Sequence, residues 1–507
     1  MKKLSEQQII RREKKKKIED LGINPYPSSF ETNSTAKNIL DNFNDNHPEF
    51  YLDIAIAGRI MAIRLMGASA FVEIRNAETN IQVYIHRDSI CKGEDKTLYD
   101  TFFKKLIDIG DIVGIQGYVF RTKVGEISIH ANSIKILSKS LKPLPAAKEV
   151  EENGEKKVHD AFTNPEARYR ERYVDLILNR EVRDIFIKRG KIINSFREIL
   201  QDRGYLEVET PILQPIHGGA AAKPFKTHHN TLDMELFLRI APELYLKKLI
   251  AGGFNGVYEI AKNFRNEGMS RFHNPEFSML ELYVAYKDYK WMMNFTEEII
   301  EEIVKKINFG KSIINYDGNE VNFSRPWKRY TLAEVIKKYA NIDILSLSEK
   351  QLKEEAIKME IKGEDSFGKA KLIDEIFGKK CEPHLINPTF ITDYPIEMSP
   401  LAKKKNDNQN FVERFEVICN GKEICNAYSE LNDPIDQRIR FEEQINLANK
   451  GDEEAMMLDE DFLNALEYGM PPTAGLGIGL DRLIMILTNS QSIQEVIFFP
   501  QMRHKNS

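Results

Sequence analysis

The sequence predicts an α+β protein, with a small N-terminal five-stranded β-barrel followed by a larger domain in which helices flank an antiparallel sheet. Three observations predict it. A chain of 507 residues is too long for one hydrophobic core, so two or three domains are expected. Between about Leu52 and Leu137 short runs alternate apolar and polar residues between glycine-containing turns, the texture of a small barrel. Finally, Val257 to Tyr286, VYEIAKNFRNEGMSRFHNPEFSMLELYVAY, has two strand-like ends around a charged, turn-rich middle.

Composition narrows the classes. Apolar content of 42% is ample for globular folding, and no apolar run reaches the length of a membrane span. The opening MKKLSEQQIIRREKKKK lacks the apolar centre of a secretory signal, so a cytoplasmic protein without membrane contact is expected. The four cysteines, Cys91, Cys381, Cys419 and Cys425, form no Cys-x-x-Cys pair and no zinc-ligand spacing with histidine, and buried thiols are expected. A net charge of −5 neither advertises nor excludes nucleic-acid binding, which responds to local patches. One such patch, Arg11, Arg12 and Lys14 to Lys17, is either a solvated helix face or an RNA contact.

In chain order, residues 1–30 read as a basic helix closed at Leu21-Gly22 and broken by the NPYP turn. Residues 31–140 carry five strands, near Leu52 to Ile60, Ala70 to Arg75, Ile81 to His86, Ile112 to Phe120 and Glu126 to Ile136, which fit a barrel of the oligonucleotide-binding (OB) type. If Val72, Ile74, Ile81, Val83, Ile85, Ile127 and Ile129 face its core, then Phe71, Gln82 and Glu126 point outward. An outward phenylalanine either packs against another domain or stacks on an unpaired base. Residues 141–172, with prolines and then mixed charge, read as a linker.

The second domain, 173–507, opens with a helix from Glu181 to Arg203, whose apolar positions recur at three and four, followed by the strand-like YLEVETPIL. His217 to Phe225 is rich in small residues, which lets backbone approach a neighbour closely. His228 and His229 have no carboxylate or third histidine at ligand spacing, which disfavours a metal there. A helix opens near Pro242 with Glu243 in its first turn, where an acid complements the helix dipole. The loop of the Val257–Tyr286 hairpin is too long for a simple turn and carries Arg265, Glu267, Arg271, His273 and Asn274, so it reads as a binding loop; an arginine at its start suits a phosphate. Residues from Trp327 to about Lys380 read as helical and charged, an insertion placed at about 331–382. Glu416 and Glu423 then fall on two strands joined by an Asn420-Gly421 turn. Facing each other they would repel unless a cation such as Mg²⁺ sits between them; solvated glutamates are the alternative. The last element, TAGLGIGLDRLIMILTNS, is a glycine-rich strand entering an apolar helix, with Arg482 at the start of that helix.

FRNEG followed by RFHNPEF resembles motif 2 of the class II aminoacyl-tRNA synthetases, and MLELYVAY narrows the resemblance to the lysyl-tRNA synthetases. The helix, strand and proline over about 181–213 resemble motif 1, the hairpin over about 257–286 resembles motif 2, and TAGLGIGLDRL, over about 473–489, resembles motif 3. FVEIRN, NIQVYIHRD and GEISIH are similar to the family's anticodon-binding barrel. The resemblance implies an OB-fold domain joined to a class II catalytic domain that makes lysyl-adenylate from ATP and L-lysine and passes lysine to tRNA(Lys). It also implies a cytoplasmic homodimer joined through motif 1.

Residue by residue, the resemblance implies that Arg265 and Arg482 are catalytic, gripping the α- and γ-phosphates. With Glu267, His273, Asn274, Phe277, Glu416 and Gly479 they would form the ATP site, Phe277 stacking on adenine. Gly219, Glu243, Glu281, Tyr283, Asn426 and Glu430 would hold lysine, in a pocket acidic enough to repel aspartate. Glu416 and Glu423 would hold Mg²⁺; Phe71, Gln82 and Glu126 would read the anticodon. The chain departs from the family in charged stretches at Lys92 to Lys96 and Val150 to Lys157, and in Phe272 within the motif 2 loop. Two rivals remain at this level. A paralogue that lysylates a protein would lack the barrel, and an RNA-binding or regulatory protein with an inactive synthetase fold would have lost Arg265, Arg482 or the carboxylate pair.

Overall fold

The structure, a computed structural model, describes residues 4–77, 79–145, 148–152, 155–159, 162–361, 368–449 and 454–504. It divides into two compact units, Met1–Ala167 and Arg168–Ser507. Residues 146, 147, 153, 154, 160 and 161 of the expected linker and 362–367 of the expected insertion lie outside the described residues.

In the first unit the basic run forms a helix, Glu6–Asp20, started by a reciprocal Ser5–Gln8 capping box. Part of its charge is used internally rather than presented to a ligand. Arg11 is buried and donates to the Ser140 and Ile109 carbonyls at 3.0 and 2.9 Å, and Lys14 pairs with Asp108 at 2.6 Å. The strands are β1 (Ile54–Met66), β2 (Ser69–Asn76), β3 (Thr79–His86), β4 (Ile112–Arg121) and β5 (Ile127–Ser138). They close into a barrel in the order β1-β2-β3-β5-β4, with the β3–β5 pair parallel. Val72, Ile74, Ile81, Val83, Ile85 and Ile129 are buried in it, whereas Ile127 is half-buried at its margin. Phe71 and Gln82 lie on the outer face and Glu126 is exposed just before β5. Phe71 packs against Tyr84, ring centroids 5.2 Å apart, and Tyr84 lies 5.2 Å from His130, so the outer face carries more aromatic surface than parity alone indicated. The expected linker is not structureless, because β6 (Lys148–Glu152) and β7 (Glu155–His159) pair antiparallel.

The second unit contains β8 (Leu206–Glu207), β9 (Leu213–Gln214), β10 (Phe225–His229), β11 (Met234–Leu238), β12 (Gly256–Phe264) and β13 (Glu276–Ala285). Then come β14 (Ile313–Tyr316), β15 (Asn319–Asn322), β16 (Lys328–Thr331), β17 (Thr389–Thr392), β18 (Arg414–Cys419), β19 (Lys422–Ser429) and β20 (Thr473–Gly479). Its main sheet runs β16-β17-β18-β19-β20-β13-β12-β8. The centre is antiparallel, and each edge adds one parallel pair, β16–β17 and β12–β8.

Two sequence expectations are corrected here. YLEVETPIL leaves the sheet after two residues, because the Glu259 carboxylate captures Thr210 through its backbone N–H at 3.2 Å and its hydroxyl at 2.7 Å. The stretch after Trp327 begins as strand, not helix: β16 pairs with β17, and the insertion helices start only at Leu332, capped by Thr331 and Glu334.

Alternation along the central strands decides what faces the site. Leu280, Leu282 and Val284 of β13, Ala474, Leu476 and Ile478 of β20, and Phe415 and Val417 of β18 face one core with the helices Arg180–Asp202 and Tyr289–Ile307. Their odd and even counterparts face the opposite side, where the cavity lies.

Candidate active site

A cavity of about 500 Å³ opens on that opposite face. All fifteen expected ATP-, lysine- and metal-site residues line it: Gly219, Glu243, Arg265, Glu267, His273, Asn274, Phe277, Glu281, Tyr283, Glu416, Glu423, Asn426, Glu430, Gly479 and Arg482. The insertion adds Lys371 and Asp374, on the helix Lys369–Lys380, which sequence reasoning did not single out.

One end of the cavity is cationic. Arg265 follows β12 directly, and its backbone N–H bonds the Pro275 carbonyl at 2.9 Å, closing the loop on itself. Its Nε is shut off from solvent without a hydrogen-bond partner among the described residues, and its guanidinium carbon lies 5.1 Å from the Phe277 ring centroid. A buried donor with nothing to bond is costly, and an anionic oxygen would satisfy it. Arg482 donates to the Glu423 carbonyl at 3.0 Å and carboxylate at 3.3 Å, and to His273 Nε2 at 2.9 Å. Arginine has only donors, so His273 accepts at Nε2 and carries its proton on Nδ1, 2.8 Å from Ser270 Oγ. Burial, reinforced by Arg482 and Lys422, lowers the His273 pKa and keeps the ring neutral.

Behind these groups, Asp481 accepts from the Ser278 N–H at 2.7 Å and from Arg189 at 2.5 Å, and Arg189 also donates to Ser278 Oγ at 3.0 Å. One residue from each of the three sequence motifs thus meets in a single network beside Phe277 and Arg482. Nothing in the sequence pattern distinguished Arg189 from the other charges of its helix.

The carboxylate pair behaves differently from the expectation. Glu416 and Glu423 do not face each other across the hairpin: Glu416 pairs with Asn426, and Glu423 with Ile418. A bulge at Ile424 supplies the missing step. It reverses the side-chain parity of β19, so that Glu423 reaches the cavity on the same face as Asn426, Tyr428 and Glu430. Glu416 accepts from Arg414 at 2.6 Å and from the Tyr394 hydroxyl at 2.8 Å. Burial raises its pKa to about 7, with Arg414 opposing that shift and Glu423 adding to it.

The opposite end is acidic and buried. Glu243, Glu281 and Glu430 are each no more than 5% exposed. Glu243 enters from the first turn of the helix Glu243–Ala251 and accepts from Tyr428 Oη at 2.6 Å. Glu281 accepts from Tyr283 Oη at 3.2 Å, and burial, with Glu243 adding repulsion, pushes its pKa up to about 8. Gly219, at φ +85°, passes so close that an added Cβ would lie 3.1 Å from Glu243 Cβ. The purely acidic pocket read from sequence is corrected by Lys247. This ammonium, wholly buried, bonds Glu243 at 2.5 Å and ion-pairs with Glu430. Its one signal in the sequence was its place four residues after Glu243 on a helix.

A family model described as tRNA synthetases class II (D, K and N) matches residues 164–503, and one described as an OB-fold nucleic acid binding domain matches residues 54–137. The chain belongs to the class II tRNA synthetase family. Within it, the chain is 55% identical over 501 residues to a lysine--tRNA ligase of Porphyromonas gingivalis, covering 99% of this chain and 86% of that one. A lysine--tRNA ligase of Christiangramia forsetii is 55% identical over 504 residues, covering 99% and 87%. One from Azobacteroides pseudotrichonymphae is 52% identical over 501 residues, covering 99% of both chains. In this synthetase chain no helix among the described residues is long and apolar enough to cross a membrane.

Proposed function

We propose that the chain activates L-lysine with ATP and transfers it to the 3′ end of tRNA(Lys), releasing AMP and pyrophosphate. The observation that carries this reading is the polarity of the cavity. A buried end with three carboxylates suits an amino acid with two ammonium groups, and the Arg265–Arg482 end suits a triphosphate. In the first step the lysine carboxylate attacks the α-phosphorus and the bond to pyrophosphate breaks. In the second, a tRNA ribose hydroxyl attacks the acyl carbon and AMP leaves. No protein nucleophile is needed. The residues position the reactants and stabilise charge, with Arg265 on the α-phosphate and Arg482 on the γ-phosphate. Glu267, His273, Asn274, Phe277 and Gly479 complete the ATP site, and Gly219, Tyr283 and Asn426 complete the amino-acid site. The intact cavity speaks against an inactive binding protein, and the barrel against a paralogue that modifies proteins.

Glu416 and Glu423 have the donor chemistry for Mg²⁺, which takes one or two carboxylates and fills its octahedron with waters and phosphate oxygens. Bound there, the ion would neutralise charge on the phosphates. Among the described residues no cluster of three or more His, Cys, Asp or Glu could hold a metal, so substrate oxygens would have to complete the site. A cytoplasmic homodimer through motif 1 completes the reading; Leu206, Ile212 and Leu213, each 44–48% exposed, supply apolar surface there.

The deciding experiment is amino-acid-dependent exchange between ATP and pyrophosphate without tRNA. Exchange with lysine and none with arginine, aspartate or asparagine is expected; exchange with aspartate would refute the assignment of Glu281 and Glu430. In the same series Phe71→Ala should leave exchange unchanged and raise the KM for tRNA about tenfold, the loss of one stacked base; Gln82 and Glu126 belong to the same proposed anticodon surface. An unchanged KM would remove Phe71 from it.

The pH dependence has a defined sign. Glu281 must be ionised to hold an ammonium, and its pKa in the free protein is about 8. The kcat/KM for lysine should therefore climb as pH rises towards about 8 and then level. A profile flat from neutral pH upward would show that Glu281 is already charged or is not needed.

A further inference from the structure

We propose that Lys247 is a positioning and specificity-determining residue, whose buried ammonium sets the charge of the amino-acid end of the cavity and holds Glu243 and Glu430 for the substrate's two ammonium groups. The inference rests on the lysine-activating reading above and deepens it.

Charge matching motivates it. Glu243, Glu281 and Glu430 with Lys247 leave two negative charges when all four are ionised, and lysine brings two ammonium groups. Without Lys247 the same space would hold three carboxylates and no internal cation, and one of them would keep a proton instead of receiving an ammonium. The geometry supports the assignment. Lys247 is wholly buried, one helical turn from Glu243, and spans to Glu430 on the neighbouring sheet. Its Nζ lies 5.4 Å from the Tyr428 ring centroid and 5.9 Å from that of Phe462, so aromatic walls confine it. Beyond this ion pair the Glu430 carboxylate has no hydrogen-bond partner among the described residues, which leaves it reliant on Lys247.

The charged and titratable groups facing Glu430 act in opposite directions. Lys247 and Glu243 come from the helix, Glu281 and Tyr283 from β13, and Tyr428 from β19, two residues before Glu430, while β20 contributes only Gly475. Burial raises the Glu430 pKa; Lys247 pulls it down, and the other two carboxylates push it up. Burial alone would lower the Lys247 pKa, but Glu243 and Glu430 outweigh it and raise it. Removing the ammonium therefore removes the main influence that lowers the Glu430 pKa, which burial already holds well above the ordinary carboxylate range.

The test is lysine-dependent exchange between ATP and pyrophosphate from pH 6 to 9 on the full chain and its K247M, K247Q and K247R variants. In K247M the KM for lysine should rise about tenfold or more and the acidic limb of kcat/KM should move up by about one pH unit, with the KM for ATP unchanged. K247R should keep the limb near its original position. K247Q, which retains a donor for Glu243, should behave as K247M and is the variant to read if K247M does not fold. A lower melting temperature with the lysine KM and the acidic limb unchanged would show a purely structural ion pair and overturn the proposal, as would equal rises in both KM values. A wild-type chain that exchanges with no amino acid would overturn the activity reading and this proposal with it; the two failures are read from different arms.

Discussion

Arg265→Ala should abolish lysine-dependent exchange between ATP and pyrophosphate, lowering kcat by ~10³-fold, roughly 4 kcal/mol of transition-state stabilisation. The guanidinium stands at the mouth of the motif 2 loop with its Nε dry and unpartnered, so an incoming phosphate oxygen gains a bond that costs no rearrangement of the loop. The loop geometry does not depend on that side chain: the Arg265 N–H to Pro275 bond is backbone, and His273 is held by Ser270 and Arg482. Arg265→Lys should recover little, because a single ammonium cannot reproduce a planar fork. The loss should fall on kcat more than on the KM for lysine, whose proposed ligands lie at the other end of the cavity. A variant with kcat within threefold of wild type would show that the α-phosphate is neutralised elsewhere.

The second large effect is expected from Gly475→Ala, a change of one methyl group. An added Cβ on β20 would lie 2.0 Å from Glu430 Oε1 and 2.6 Å from Tyr283 Cε1. Both neighbours are buried, Glu430 at 1% and Tyr283 at 3% exposure, and Glu430 is tied to Lys247, so either can yield only by moving into the cavity they line. Overpacking of this kind costs about 1–3 kcal/mol, and displacing a desolvated carboxylate from its ammonium adds to it. The KM for lysine should rise roughly 100-fold while the KM for ATP stays within about threefold. Steady-state kinetics against each substrate separates the two; an unchanged KM for lysine would show that Glu430 does not contact it. At this position the glycine-rich strand leaves space for the Glu430 carboxylate.

Much of the architecture was legible because it depends on local repetition. The period-two pattern of FVEIRN and NIQVYIH placed Val72, Ile74, Val83 and Ile85 inside the barrel, since a buried strand face must be apolar. Both ends of VYEIAKNFRNEG and NPEFSMLELYVAY read correctly as strands for the same reason. The short life of YLEVETPIL in the sheet was not legible, because a side chain distant in sequence, Glu259, draws the backbone away. Nor was the strand at Lys328–Thr331, whose pairing partner β17 lies beyond the insertion.

At the site the division follows the same physics. Residue types in their motifs determined which groups would meet: arginines at one end of the cavity, carboxylates at the other, glycines where backbone or side chain must come close. Tertiary structure alone decided how they meet. The bulge at Ile424 turns Glu423 into the cavity although sequence alternation points it away from Asn426. Likewise, one of two adjacent lysines, Lys247, faces the carboxylates wholly buried, while Lys248 pairs with Asp461 at 2.6 Å nearer the surface. Alternation and composition act over a few residues, whereas the charge state of a buried carboxylate depends on every group the fold brings within a few ångströms of it.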